Sequence, residues 1–224
     1  MNYLKNFSEL INKKKGLLRC IFTTLLIQFI VTTIVFIIIY KFKIFNPYTI
    51  NYFILFIFLI FSIGLITLMV SPNLKFYQRF ALFTIFSITE GIFLSFCLKL
   101  IDVNIILSAL VSTIMLFLVM LIFGFGAVFY KIDLSWLGII LFLLLVMLIF
   151  IYIVRIFAPY SSTTNQGLVV FALLLFSVYI IYDTNMILLR YNNKNPDRDC
   201  IMGALDYYLD LVNIFVNMIS AFNR

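Results

Sequence analysis

Four carboxylates stand inside stretches that are otherwise almost free of charge: Glu90, Asp183, Asp206 and Asp210. An ionised carboxylate at bilayer depth costs about 2.5 to 3.5 kcal/mol on insertion scales, so acids retained there are functional candidates. Asp206 and Asp210 are four residues apart, and Asn213 and Asn217 continue the same helical face as a polar stripe. That face must look at other helices, at a water-filled cavity or at the interface; the alternative is a re-entrant or surface-lying amphipathic segment whose stripe is solvated. Asp183, in Tyr179-Ile180-Ile181-Tyr182-Asp183-Thr184, either snorkels toward the basic end at Arg190 or meets Asp210 across two helices. Two carboxyls brought together in low dielectric share a proton, bond while they hold it and repel when both ionise, which makes a pH-dependent latch. Asp183, Asp206 and Asp210 also offer oxygens to a hard cation such as Ca²⁺, which takes six to eight of them. Glu90, with Ser87 three residues before it and Gly91 after it, either lines the same cavity or is a neutral, hydrogen-bonded core acid.

Other chemistries are excluded by composition. The chain has no histidine, which removes histidine triads and the commonest transition-metal ligand. Cys20, Cys97 and Cys200 are far apart and lie in or beside apolar runs, so their spacing suggests neither a disulfide framework nor a zinc site. No phosphate-cradling loop, nucleophile elbow or metalloprotease spacing occurs. The net charge of +7 lies in short clusters between apolar runs, a pattern of topology signals and not of nucleic-acid binding.

With 65% hydrophobic and 11% charged residues in 224, the chain is expected to be an all-α polytopic membrane protein with one membrane domain. A basic cytosolic segment, 1–16, precedes helices over about 17–40, 50–71, 78–99, 103–127, 134–156 and 167–190. A seventh, more polar helix follows over 200–222 and carries Asp206 and Asp210. Pro47, Pro72, Pro159 and Pro196 fall in the proposed connections, where a missing N–H costs a helix nothing. Gly64, Gly124 and Gly126 signal close helix packing or a bend. With the N-terminus in the cytosol, eleven lysines and arginines fall on the cytosolic side, among them Lys13, Lys14, Lys15, Arg19, Lys75, Arg79, Arg190 and Lys194. Lys41, Lys43, Lys99 and Arg155 fall on the other side, as the positive-inside rule asks.

Ile181-Tyr182-Asp183-Thr184, followed by Ala204-Leu205-Asp206-Tyr207-Tyr208-Leu209-Asp210-Leu211-Val212-Asn213-Ile214-Phe215, resembles the Bax inhibitor motif family of membrane proteins. Thr89-Glu90-Gly91 and Tyr130-Lys131-Ile132-Asp133-Leu134-Ser135-Trp136-Leu137-Gly138 are similar to that family as well, nearest its Golgi anti-apoptotic and LifeGuard branches. The resemblance runs from about Leu17 to the end. It implies seven helices wrapped around a central one, a Ca²⁺ leak from a store or across a cell membrane, and inhibition of apoptosis in eukaryotic or viral settings. It further implies that Asp183 and Asp210 form a pH-sensitive gate, with Asp206 an additional acid. Family members can carry an arginine on the second helix that exchanges partners with the aspartates. Residues 44–74 here contain no charge, so Lys75 or Arg79 from the following segment would have to supply that basic latch.

The expected function is therefore a pH-sensitive Ca²⁺ or cation leak that modulates apoptosis and store Ca²⁺. It would involve no catalytic residue and no cofactor, with Ca²⁺ or H⁺ as the transported or regulatory ion. The expected partners are membrane lipid, Ca²⁺, protons and cell-death regulators or other membrane proteins, with no nucleic acid. The location would be a Golgi or endoplasmic reticulum membrane in a eukaryotic or viral setting and the inner membrane in a bacterial one. A second function is a non-conducting regulator that binds protein partners. A third is an intramembrane aspartyl protease, against which the missing Gly-x-Gly-Asp and Pro-Ala-Leu motifs count. A retinal receptor is set aside, because the last helix has no lysine for a Schiff base.

Overall fold

A computed structural model describes residues 2–42, 52–98, 100–157, 162–189 and 195–223. Seven helices follow one another: α1 (Asn2–Phe42), α2 (Tyr52–Val70), α3 (Phe76–Cys97), α4 (Val103–Phe129), α5 (Leu137–Phe157), α6 (Ser162–Leu189) and α7 (Pro196–Phe222). The described residues contain no strand. The all-helical, multi-pass architecture expected from the apolar runs is the one observed. Among the described residues five stretches are long and apolar enough to cross a membrane: Phe7–Phe42, Phe76–Cys97, Val103–Phe129, Leu137–Val154 and Asn165–Leu189. The apolar stretch of α2, Phe56–Val70, is shorter. Pro47, Pro159, Lys43, Lys99, Arg190, Lys194, the side chain of Arg155 and Arg224 lie outside the described residues.

Local signals set the helix starts. Asp102 caps α4 by accepting a hydrogen bond from the Asn104 amide at 2.7 Å. Asn195 caps α7 by accepting from Arg198 N–H at 3.4 Å, and Pro196 takes the first helical position, where its missing N–H is not needed. Pro196 thus begins a helix instead of sitting in a connection. Asp197 and Asp199 in the first turn of α7 complement its positive end.

Within the basic segment 1–16, residues 2–16 are helical and form the start of α1. Phe7 packs edge-on against Phe129 with ring centroids 5.5 Å apart, and Lys14 is buried. Contacts gather the chain into two compact units. The first contains the residues through Lys14, Asp102–Asn192 and Asp206–Arg224, with α6 packed against α4 and α5; the second contains Lys15–Ile101 and Asn193–Leu205, with α2 packed on α3.

The last helix departs furthest from its expected weakness as a span. From Cys200 to Ile219 no residue of α7 is exposed; the buried ones, among them Ile201, Ala204, Leu205, Tyr207, Tyr208, Leu211 and Ile214, cover most of its circumference, and Met202, Asp206, Leu209, Asn213 and Val216 on the remaining face are half-buried. A surface-lying amphipathic helix would expose one face to water. Within the polar stripe Asp210 and Asn217 are buried and Asp206 and Asn213 are half-buried, so none of the four stands open as on a solvated face.

The cysteine expectation is corrected. Cys20 and Cys200 form a disulfide within the second unit, tying α1 to the first turns of α7, and the Thr24 hydroxyl lies 3.7 Å from Cys200 Sγ. The two cysteines are separated by 180 residues, so chain spacing gave no sign of a pairing that packing creates. Cys97 is the free cysteine among the described residues. Intact-mass analysis after maleimide labelling of the unfolded chain is expected to show one modified thiol without reductant and three with it. Three adducts without reductant would mean that the bond is absent.

Candidate functional site

The first unit brings the carboxyls of α6 and α7 together. Asp183 and Asp210 share a side-chain hydrogen bond, and Asp206, one turn before Asp210, is within electrostatic reach of both. A bond between two carboxyl groups exists only while at least one of them holds a proton, since an ionised carboxylate has no donor. Asp210 is 4% exposed and its Oδ2 has no hydrogen-bond partner, so one acceptor of the pair is held away from water and left unsatisfied. Asp183 and Asp206 are half-buried.

Aromatic and hydroxyl neighbours hold the two helices in register. Thr184 donates to the Ile180 carbonyl at 2.7 Å, which leaves the Tyr207 hydroxyl to donate to Thr184 Oγ1 at 2.8 Å. Tyr207 is buried and meets Phe117 of α4 edge to face at 5.5 Å. Gly124 of α4 faces Thr184 so closely that a Cβ there would lie 2.5 Å from Thr184 Cβ. Of the three glycines suspected of close packing, only Gly124 is so used; a Cβ at Gly64 or Gly126 would meet nothing within 4 Å.

The motif Tyr130–Gly138 meets the Asp183 motif in space. The turn after α4 places Lys131 at φ 58°, and the Asp133 carboxylate accepts from the Ser135 amide at 2.9 Å. Asn185, two residues after Asp183, clamps this turn by donating to the Ile132 carbonyl at 2.8 Å and accepting from the Leu134 amide at 3.2 Å. Tyr182 covers Gly138, where a Cβ would lie 2.9 Å from the ring. Sequence inspection did not single out Asn185 or Tyr207 as positioning residues. A polar side chain at membrane depth was the available signal for Asn185.

The stripe on α7 divides its work. Asn213 donates to the Leu209 carbonyl one turn back at 2.8 Å, whereas Asn217 donates to Asn213 O at 2.9 Å and accepts from the Tyr152 hydroxyl of α5 at 3.0 Å. Asn217 is therefore an interhelical tie.

Glu90 belongs to the second unit, where Ser62 of α2 donates to its Oε1 at 3.1 Å. This geometry is that of a hydrogen-bonded core acid. Arg79, considered as a latch for the aspartates, is fully buried in the same unit and spends its guanidinium on the end of α2. Its Nε donates to Met69 O at 3.1 Å, and its Nη2 donates to Ser71 O at 2.6 Å and to Pro72 O at 3.5 Å. The last carbonyls of a helix lack intrahelical donors, and these donors supply them. Lys75 is exposed before α3, its backbone N–H donating to Gln78 Oε1 at 2.9 Å. Among the described residues no three histidine, cysteine, aspartate or glutamate side chains are grouped so as to hold a metal ion.

Residues 14–224 match the Bax1-I family, described as inhibitor of apoptosis-promoting Bax1. The chain is 29% identical to Bax inhibitor 1 of Schizosaccharomyces pombe over 167 residues, 74% of this chain and 60% of that protein. It is 28% identical to LIFEGUARD 1 of Arabidopsis thaliana over 137 residues, covering 61% and 57% respectively. It is also 28% identical to the Golgi anti-apoptotic protein of vaccinia virus strain Lister over 159 residues, covering 71% and 64%. The chain spans less than two thirds of the length of each of these relatives.

Proposed function

The chain belongs to the Bax inhibitor family of multi-pass membrane proteins, and from that premise we propose that it is a proton-regulated Ca²⁺ or cation leak in which Asp183 and Asp210 form the gate. The observation that carries this reading is the hydrogen bond between the two carboxyls, with Asp210 buried and its Oδ2 without a partner. While the pair holds a proton, α6 and α7 are bonded to each other. When the last shared proton leaves, two negative charges face one another; at about 4 Å and an effective dielectric constant of about 20 they repel by about 4 kcal/mol. That is ample to shift a helix packing equilibrium. Rising pH thus opens the gate and falling pH closes it. Asp206 adds its charge from the preceding turn and steepens the response.

Modulation of cell death belongs to this proposal, through store Ca²⁺ or through contact with cell-death regulators, and the name of the vaccinia relative supports it. The cellular membrane would be that of the Golgi or endoplasmic reticulum in a eukaryotic or viral setting and the inner membrane in a bacterial one. The N-terminus would be cytosolic. The test is the purified protein in liposomes loaded with a Ca²⁺ indicator. Influx is expected to be severalfold faster at pH 8 than at pH 6 and absent from protein-free liposomes. Folded protein that gives no flux at either pH would overturn the leak and leave a non-conducting, partner-binding regulator as the function.

A further inference from the structure

The second unit holds a feature that the gate does not use. Gln28 of α1 donates to Thr84 Oγ1 of α3 at 3.2 Å, and the Thr32 hydroxyl is shared between the Gln28 carbonyl at 2.9 Å and the Ser87 carbonyl of α3 at 3.2 Å. The paired positions differ by 56 and 55 in sequence, so α1 and α3 run parallel and level residues are about 56 apart. Their deep ends close tightly, because Gly91 lets the α3 backbone lie where a Cβ would be 2.8 Å from the Thr32 carbonyl. Over the roughly three turns of α1 that precede Gln28, the two helices border an open groove of about 370 Å³ whose walls include Gly16, Arg19, Thr23, Ile27, Phe76 and Phe80.

The groove is graded in polarity along its length. Arg19, exposed, lines one end of it; Lys15 is exposed one turn earlier on α1, and the same register brings exposed Lys75 level with Arg19. Deeper along the helices Ile27 and Phe80 make it apolar. No acidic side chain lines it. A ligand that matches must carry a negative charge at one end and hydrocarbon along the rest. Basic pockets between membrane helices on the cytosolic side, where the positive-inside rule puts this end of α1, bind anionic lipid headgroups.

We propose that the groove between α1 and α3 is a binding site for an anionic phospholipid. The phosphodiester sits against Arg19, with Lys15 and Lys75 adding positive charge nearby, and one acyl chain lies along Ile27, Phe76 and Phe80. The site is independent of the leak and of the aspartate pair.

The test is native mass spectrometry of the full chain in detergent, offered equal amounts of phosphatidylglycerol and phosphatidylcholine. The wild type is expected to retain phosphatidylglycerol at least about fivefold better, the size of one basic residue's contribution at a membrane surface. Arg19→Gln should bring the two lipids near parity. Gly16→Leu should lower retention of both, and it is tolerable in the fold because a Cβ at Gly16 meets nothing within 4 Å. Equal retention by the wild type, or a preference that neither variant changes, would overturn the proposal. So would displacement of the lipid by inorganic phosphate at a concentration matching the lipid's, which would make the groove a phosphate site and not a lipid site.

Discussion

Replacing Asp210 by asparagine is expected to abolish the pH dependence of Ca²⁺ flux while leaving the protein folded. The amide keeps the shape of the carboxyl and donates to Asp183 whether or not Asp183 is ionised, so the bond across α6 and α7 no longer needs a proton. The charge pair that drives the helices apart cannot form, and the about 4 kcal/mol of repulsion available to the wild type at high pH disappears. Flux at pH 8 should fall to the wild-type level at pH 6, and the curve between them should be flat. Asp183→Asn should give the same phenotype, because either amide removes one of the two charges. A variant that still opens between pH 6 and 8 would place the pH sensor elsewhere, with Asp206 the next residue to change. Glu90→Gln, whose parent acid is held by Ser62 in the other unit, should leave the pH curve where it was.

The largest loss of stability is expected from Arg79→Met. The arginine is 0% exposed and its three hydrogen bonds all end on carbonyls at the close of α2. Methionine fills much of the volume but leaves those carbonyls without donors, at about 1 to 3 kcal/mol for each one that water cannot reach. A total of about 3 kcal/mol corresponds to a fall in melting temperature of roughly 10 °C in a chain of this size. Arg79→Lys should recover only part of it, since an ammonium on a flexible stem does not reproduce the fork that spans Met69 and Ser71. The measurement is thermal unfolding in detergent followed by size-exclusion chromatography. A drop of less than about 2 °C for methionine would mean that water already satisfies the end of α2. The same variant separates the two roles considered for this arginine, because a latch on the aspartates would alter the pH curve and a helix-end clamp alters stability.

Five of the helices were legible in the sequence because their apolar runs match the thickness of a bilayer, and hydrocarbon leaves a backbone no alternative to the helix; α2 and the more polar α7 do not carry that signal in full. The acids were legible for the same reason, since Asp183, Asp206 and Asp210 stand out where charge is costly. Spacing alone also put Asp206, Asp210, Asn213 and Asn217 on one face of α7. Which acids meet was a matter of tertiary structure. Periodicity orients a side chain about its own helix and says nothing of the neighbour it faces, so Glu90 and Asp183 read alike but fall in different units with different partners. The fold likewise brought Cys20 to Cys200 across 180 residues, set the Arg79 guanidinium on the carbonyls at the close of α2, and buried most of the circumference of α7. Local hydropathy measures a helix against lipid, whereas most of α7 packs on protein, where polar groups are held by hydrogen bonds that only packing can supply.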